Sequence, residues 1–326
     1  MNAQVSVVIP TFNRADLLGE TLDRLGAIAT TLADWEVIVV DNNSTDATRT
    51  AVESRAGSWP VPLRYVFEKA QGRSNALNAG IRTSAAPVLA FIDDDVIVGD
   101  AWLDAGVAPL VADSTIEYTG GPVRPIWESP RPAWLSGERG DLWGTIAICD
   151  YGRVAFDFED RRRVPLGANM AVRRRLLDRI GGFDPTLGRT NGRHILGQEV
   201  PEFLARARAA GARGQYVPAM AVNHHVPARR LTKTYFRRWW YGKGLSRARL
   251  DARQPVTELG VDLRRARRFA GVPLFMWRTA VEDAVGCIAS SDRTERFRHQ
   301  AMLWYFAGYL ASRDRHGAQP LAALAR

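Results

Sequence analysis

The first hundred residues alternate short apolar runs with longer amphipathic stretches. Residues 5–9 form an apolar-rich run that closes at a turn cluster, Pro10-Thr-Phe-Asn-Arg14. Runs of this length bounded by polar residues read as buried strands. The pattern returns at 35–40, 63–67 and 88–92. Between the runs, Leu17, Leu18, Thr21, Leu22 and Leu25 recur at helical spacing. A second helix is predicted from an N-cap at Ser44 or Thr45 to about Ser54, and a third grows out of a loop within 72–81. Strands alternating with helices over short loops imply an α/β fold, a Rossmann-like, doubly wound, mostly parallel sheet. Ligands on such sheets bind beyond the carboxyl ends of the strands. Three of those ends carry polar clusters, at 11–14, 41–46 and 93–95.

The pattern loosens after residue 100. Residues 116–119 are strand-like, and an irregular loop follows with Pro122, Pro125, Pro130, Pro132, Trp127 and Trp134. Residues 167–172 read as a strand entering a helix that Gly181-Gly182 ends. Gly197-Gln-Glu-Val200 precedes an amphipathic helix predicted over 203–210, and an extended segment at 215–222 leads to Asn223-His224-His225. From Leu231 onward the spacing is helical, with Leu231, Tyr235 and Trp239 on one i,i+4 row and Phe236 and Trp240 on another. The chain divides accordingly into 1–228, with halves 1–100 and 101–228, and a helical extension over 229–326.

Charge sharpens that division. The 326 residues carry a net charge of +9, yet residues 226–326 hold 20 Lys and Arg against 8 Asp and Glu. The basic excess lies entirely in the extension, which points to an anionic partner, lipid headgroups or nucleic acid. A Trp-, Tyr- and Arg-rich helix at 231–250 suits a membrane interface and equally suits packing over a cleft of the first domain; peripheral membrane contact through 229–326 is one of these two expectations. No nucleic-acid fold signature is present, and no nucleic-acid partner is expected. No leader-like segment precedes the first strand and no stretch of about 18 apolar residues occurs. Cys149 and Cys287 match no zinc or redox spacing. A cytoplasmic location is expected, peripheral at the inner face of the membrane. Neither a Gly-x-Gly-x-x-Gly nor a P-loop follows the first strand.

The strongest chemical signal is Phe91-Ile-Asp-Asp-Asp95, where a buried run drives into three carboxylates. Three acids at a buried strand tip repel one another and lose hydration. They need a counter-charge, and a divalent cation with oxygen ligands supplies one. Such a cation also neutralises phosphates, which predicts a metal–diphosphate ligand at the carboxyl end of the sheet.

Taken in order, the motifs resemble family 2 glycosyltransferases of the GT-A fold. Val5-Ser-Val-Val-Ile-Pro-Thr-Phe-Asn-Arg14 is similar to that family's opening strand and loop, and Val40-Asp-Asn-Asn-Ser-Thr-Asp46 to its second strand end. Gln71-Gly-Arg-Ser-Asn-Ala-Leu-Asn-Ala-Gly80 resembles its donor-site loop and helix, and Asp93-Asp94-Asp95 its Asp-x-Asp metal motif. Gly181-Gly-Phe-Asp184 with Gly197-Gln-Glu199 resembles the block that ends in an acidic pair, and Val222-Asn-His-His-Val-Pro227 a later His motif. The resemblance spans roughly residues 4 to 250. It departs at Gln198, where the family usually has an acid, and at Asn223, where relatives often have an aromatic.

The resemblance implies an inverting, metal-dependent transfer of a sugar from a UDP-, dTDP- or GDP-sugar donor to the hydroxyl of a glycan or lipid-linked acceptor, in polysaccharide, glycolipid or other cell-envelope glycan synthesis. Asp95 is then the foremost ligand for Mn²⁺ or Mg²⁺, with Asp93 sharing its face of the strand and His224 a third candidate. Asp93 and Asp94 are also candidates for contact with ribose or sugar. Asp41 fits the N–H of a pyrimidine-like base; Arg73 is expected either to neutralise Asp41 or to touch the diphosphate. Pro10, Thr11, Phe12, Arg14 and Asn78 complete the expected donor pocket. Glu199 is the expected catalytic base. Other readings are a non-catalytic nucleotide-sugar binder, a nucleotidyltransferase, or a basic nucleic-acid-binding protein.

Overall fold

A computed structural model of the protein describes residues 3–135, 140–160, 162–188, 197–254, 256–257 and 261–314. The apolar runs become strands β1 (Val5–Thr11), β2 (Trp35–Asp41), β3 (Leu63–Phe67) and β4 (Val88–Ile92). They alternate with helices α1 (Ala15–Gly26), α2 (Thr48–Ala56) and α3 (Arg73–Thr83). There follow β5 (Val96–Val98), α4 (Trp102–Ala112), β6 (Ile116–Gly120), β7 (Val123–Trp127), β8 (Phe156–Asp157) and β9 (Asn169–Arg173). Next come α5 (Arg174–Ile180), α6 (Glu199–Ala209), β10 (Arg213–Tyr216) and β11 (Val222–Val226). The remainder holds α7 (Lys233–Asp251), the hairpin β12 (Arg268–Phe269) and β13 (Val272–Pro273), α8 (Leu274–Ala289) and α9 (Arg293–Asp314).

Eight strands form the main sheet in the order β3-β2-β1-β4-β9-β6-β10-β8. The pairs β1–β2, β2–β3, β1–β4 and β6–β10 are parallel, while β9 runs antiparallel to both β4 and β6. The register sets Thr11 beside Asp41, so β1, β2 and β4 end at one edge of the sheet. Alternate residues of these buried strands serve the two faces. Val8, Ile38, Val40, Leu89 and Phe91 meet Ala76 and Leu77 of α3, Leu176 and Leu177 of α5, and Phe203 and Leu204 of α6 in one buried core. A smaller sheet, β5-β11-β7, sits beyond β4 in the chain.

The second helix begins differently from expectation. Ala47 is its N-cap and makes no side-chain bond. Asp46 instead accepts from the Thr48 amide at 3.1 Å and from the Thr48 hydroxyl at 2.5 Å, an Asx-type turn that satisfies the first helical donors.

The chain falls into two compact units. One comprises Met1–Ile126, Ala147–Asn191 and Glu199–His225; the other Trp127–Ile146, Gly192–Gln198 and Val226–Arg326. Residues 127–146 therefore group with the C-terminal helices and not with 101–228. The reason is aromatic burial: Trp134 packs edge-on against Phe236 at 5.0 Å and Phe297 at 4.7 Å, and Trp127 meets Trp143 at 5.9 Å. The extension is also not helical throughout, because the β12–β13 hairpin interrupts it before α8. On α7, Phe236 and Trp240 are buried. Among the described residues, no helix is long and apolar enough to cross a membrane.

Helix α3 lies unusually close to β1. A Cβ at Gly80 would stand 2.3 Å from a Val8 methyl carbon, closer than van der Waals contact permits. Gly80→Ala is expected to overpack this seam and lower unfolding stability by about 1–3 kcal/mol. Denaturant unfolding of the variant checks this, and an unchanged midpoint would show that α3 can move outward freely.

Candidate functional site

At the end of β4 the three acids find cationic partners within the protein. Arg14, just beyond β1, donates from one nitrogen to Asp94 at 2.8 Å and to Asp95 at 2.6 Å. Thr11 adds a hydroxyl bond to the other Asp94 oxygen at 2.8 Å. Asp94 is thus a clasp between the ends of β1 and β4. Burial pushes its carboxyl up to about 6, against the pull of Arg14 and with repulsion from Asp95 adding to the rise.

Asp93 turns to a second arginine. Arg73, the first residue of α3, reaches Asp93 at 2.6 Å and Glu199 at 3.2 Å, and bonds the Gly167 carbonyl at 3.1 Å. Burial alone would raise the Asp93 carboxyl, but the Arg73 guanidinium outweighs it and holds Asp93 below the usual carboxylate range. Glu199 stands 126 residues from Arg73 in sequence. It is the first residue of α6, which starts earlier than the predicted 203. The turn into α6 is made by Gln198 at φ 81°, a left-handed conformation uncommon for a non-glycine residue.

The start of α3 is itself anchored. Asn42, next to Asp41, accepts from the Gly72 amide at 2.7 Å and donates to the carbonyls of Glu68 and Ala70. The Gln71 side chain closes the same loop on the Asn42 carbonyl. Ser74 bonds the Leu187 carbonyl at 2.9 Å. Beside it, Gly188 has φ 91°, and a Cβ there would lie 3.0 Å from the Ser74 hydroxyl and 3.5 Å from the Glu199 carboxyl carbon. Only glycine fits both the conformation and the space.

Asp41 is buried at the end of β2. One carboxylate oxygen accepts from the Ser44 amide at 2.8 Å and the other from the Tyr65 hydroxyl at 2.7 Å. Burial, with the Asp41 bond next, pushes the Tyr65 phenol up to about 12. The expected pairing of Arg73 with Asp41 does not occur, because Arg73 is drawn to the acids at the end of β4.

His224 arrives through sheet pairing. β11 runs antiparallel to β5 with His224 opposite Val96, and the His225 amide bonds the Asp95 carbonyl at 2.9 Å. The His224 imidazole lies 3.3 Å from an Asp95 oxygen, both groups buried. Strand alternation turns His225 the other way, to within 3.3 Å of Glu20. Asp95 and His224 offer a carboxylate and an imidazole, a donor pair suited to Mn²⁺. No cluster of three or more His, Cys, Asp or Glu with metal-site geometry exists among the described residues. An Asp–His pair alone would leave most of a cation's coordination shell to other donors.

Asn78 stands apart from the acid cluster. Its amide bonds both the Phe183 carbonyl at 2.7 Å and the Phe183 amide at 2.8 Å, which pins the turn after α5 onto α3. Pro10 is buried within β1, and Phe12 is half-buried just beyond it. Sequence reasoning passed over Tyr65, Asn42, Ser74 and Gly188. Asn42 carried a signal, a polar amide at a strand tip before a glycine loop; the others show their roles only through distant partners.

The model for the family described as glycosyl transferase family 2 matches residues 6–181. Validoxylamine A glucosyltransferase of Streptomyces hygroscopicus subsp. jinggangensis is 42% identical over 106 residues, 32% of this chain and 25% of that protein. The chain thus spans about a quarter of the length of that relative. The succinoglycan biosynthesis protein ExoM of Rhizobium meliloti is 27% identical over 308 residues, covering 92% of this chain and 90% of its own. The solved mannosyltransferase PcManGT of Pyrobaculum calidifontis, in complex with GDP-Man and Mn²⁺, aligns with a TM-score of 0.56 at 21% identity, over 99% of this chain and 79% of that one. At that identity the likeness speaks for the fold. The family match covers more than half of the chain, and the chain belongs to glycosyl transferase family 2, with the GT-A fold.

Proposed function

We propose that the protein transfers a sugar from a nucleotide-diphosphate donor to an acceptor hydroxyl with inversion, in the assembly of a cell-envelope glycan. The observation that carries this reading is the Arg73 guanidinium, which holds Asp93 of the strand-end acid cluster and Glu199 of α6 together. A carboxylate poised that close to the acid cluster suits a base acting on an acceptor beside a bound donor. Two solved structures of similar fold, the PcManGT mannosyltransferase with GDP-Man and Mn²⁺ and GalNAc-T7 with UDP, GalNAc and Mn²⁺, support a nucleotide-linked donor and a divalent cation.

In this reading the nucleoside lies across the ends of β1 and β2. Asp41, oriented by Ser44 and Tyr65, accepts an N–H of the base, and Phe12 packs beside it. Asp93 and Asp94 face the ribose and sugar hydroxyls. Arg14 holds Asp94 and Asp95 in place, a clamp that spares the cluster reorganisation when ligand binds. Asp95 and His224 would hold Mn²⁺ or Mg²⁺, which when bound neutralises charge on the departing diphosphate. Glu199 removes the proton from the acceptor hydroxyl. The freed oxygen bonds the anomeric carbon from the face opposite the diphosphate. The old bond from that carbon to the diphosphate oxygen breaks, and its electron pair leaves with the nucleoside diphosphate.

Three outcomes test this. Glu199→Gln is expected to lower transfer at least ~100-fold, the range of a lost general base, while nucleoside diphosphate affinity by titration calorimetry stays near that of the parent. Near-parental turnover would remove Glu199 from the reaction. Chelation of divalent ions is expected to abolish transfer and to weaken UDP or GDP binding by about tenfold or more, with Mn²⁺ restoring both. Asp95→Asn is expected to lose the Mn²⁺-dependent part of that affinity; a variant that keeps it would move the cation away from Asp95.

A further inference from the structure

The C-terminal unit exposes apolar surface in an unexpected place. Helix α7, the aromatic-rich helix that the sequence marks for a membrane interface, turns Phe236 and Trp240 into the protein. Phe236 meets Trp134 and Phe297, and Trp240 meets Tyr305 at 6.3 Å. Helix α8 does the opposite. Its inner side is occupied: Met276, Ala280 and Asp283 are buried, Trp277 packs on Phe306 at 4.9 Å, and Asp283 bonds His299 at 2.8 Å. Its outer side carries Leu274, Val281, Val285 and Ile288, the last of them 87% exposed. At 100° per residue these positions fall on one stripe of the helix.

The stripe continues into the β12–β13 hairpin. The Leu274 amide donates to the Arg267 carbonyl, and the Trp277 indole N–H donates to the Phe269 carbonyl while the rings of Trp277 and Phe269 meet at 5.6 Å. Phe269, at the hairpin turn, is 64% exposed, and Phe275 is exposed at the start of α8. Arg264, Arg265 and Arg267 lead into β12, Arg268 lies in it and Arg278 lies on α8, and all five are exposed. The nearby acids are engaged: Asp262 pairs with Arg264 at 2.9 Å, Glu282 with Arg278 at 2.8 Å, and Asp283 faces His299 from within.

We propose that α8 and the β12–β13 turn seat this chain on an anionic lipid bilayer, with α8 lying in the interfacial plane. Exposed aliphatic and aromatic groups enter the boundary between headgroups and acyl chains, and the arginines beside them meet the anionic headgroups. Charge selects this occupant over a second copy, because self-pairing would bring two such arginine clusters into one interface. The inference is independent of the catalytic reading: it places the protein at a lipid surface whatever reaction it performs there.

The test is co-sedimentation of the full chain with phosphatidylglycerol–phosphatidylcholine vesicles and with phosphatidylcholine vesicles, at low and high salt. Binding to the anionic vesicles that falls with salt is expected. Val281→Asp with Val285→Asp is expected to weaken it by about tenfold or more, and Arg265→Glu with Arg267→Glu to weaken it chiefly at low salt. These side chains are exposed, so circular dichroism melting of the variants should match the parent. Parental protein that stays in the supernatant with anionic vesicles at low salt overturns the proposal. So does vesicle binding that neither variant weakens. Self-association that the Val281/Val285 variant abolishes, with no vesicle binding, would assign the face to a second copy instead.

Discussion

Like charges gathered at the end of a buried strand set the central constraint on this protein. Asp93, Asp94 and Asp95 follow β4, whose residues are buried throughout. Ionised acids in such a place are tolerated only when paired and hydrogen-bonded. Two arginines meet that need, and each binds two acids. Arg14 must lie just past β1, so β1 has to be the neighbour of β4. Arg73 must open α3, so α3 has to reach the sheet edge, which the close approach at Gly80 permits. The strand order, the packing of α3 and the charge balance are thus one requirement seen three ways.

This arrangement also corrects a simple electrostatic argument. Three acids in a row do call for positive charge, but the protein carries most of it covalently. Asp95 also meets the buried His224 imidazole at 3.3 Å, so the cluster draws on β11 as well. Asp94 has a structural use as well: with Thr11 and Arg14 it ties the two strand ends together.

Much of the fold was legible. The first four strands, α1 and α3 lie where local periodicity places them, and α2 differs only at its start, because each is decided by whether side chains repeat every two or every three to four residues. The candidate site was legible in part. Asp41, Asp93, Asp95 and Glu199 stand out as acids at element ends, whereas Tyr65, Ser74 and Gly188 act through partners that no spacing rule relates to them. Asn78 sits in a motif but holds the backbone of Phe183. Trp127 and Trp134 looked like part of an irregular loop in the first domain, yet Trp134 packs on Phe236 and Phe297 and Trp127 on Trp143, which groups them with the helices. On α7 the row of Phe236 and Trp240 is buried, while Tyr235 and Trp239 of the other row are half-buried.

The sequence by itself determined the alternation of strand and helix, the polar clusters at three strand ends, the acidic triad and the concentration of basic charge in the last hundred residues. These are local or additive properties, readable from a window or a sum. Only the tertiary structure decided which arginine meets which acid, that His224 reaches Asp95 by the pairing of β11 with β5, that Glu199 reaches Asp93 through Arg73, and that α8 presents its apolar side outward. Each of these joins residues far apart in the chain. Sheet register and helix packing bring them together, and those are set by burial of the whole core at once.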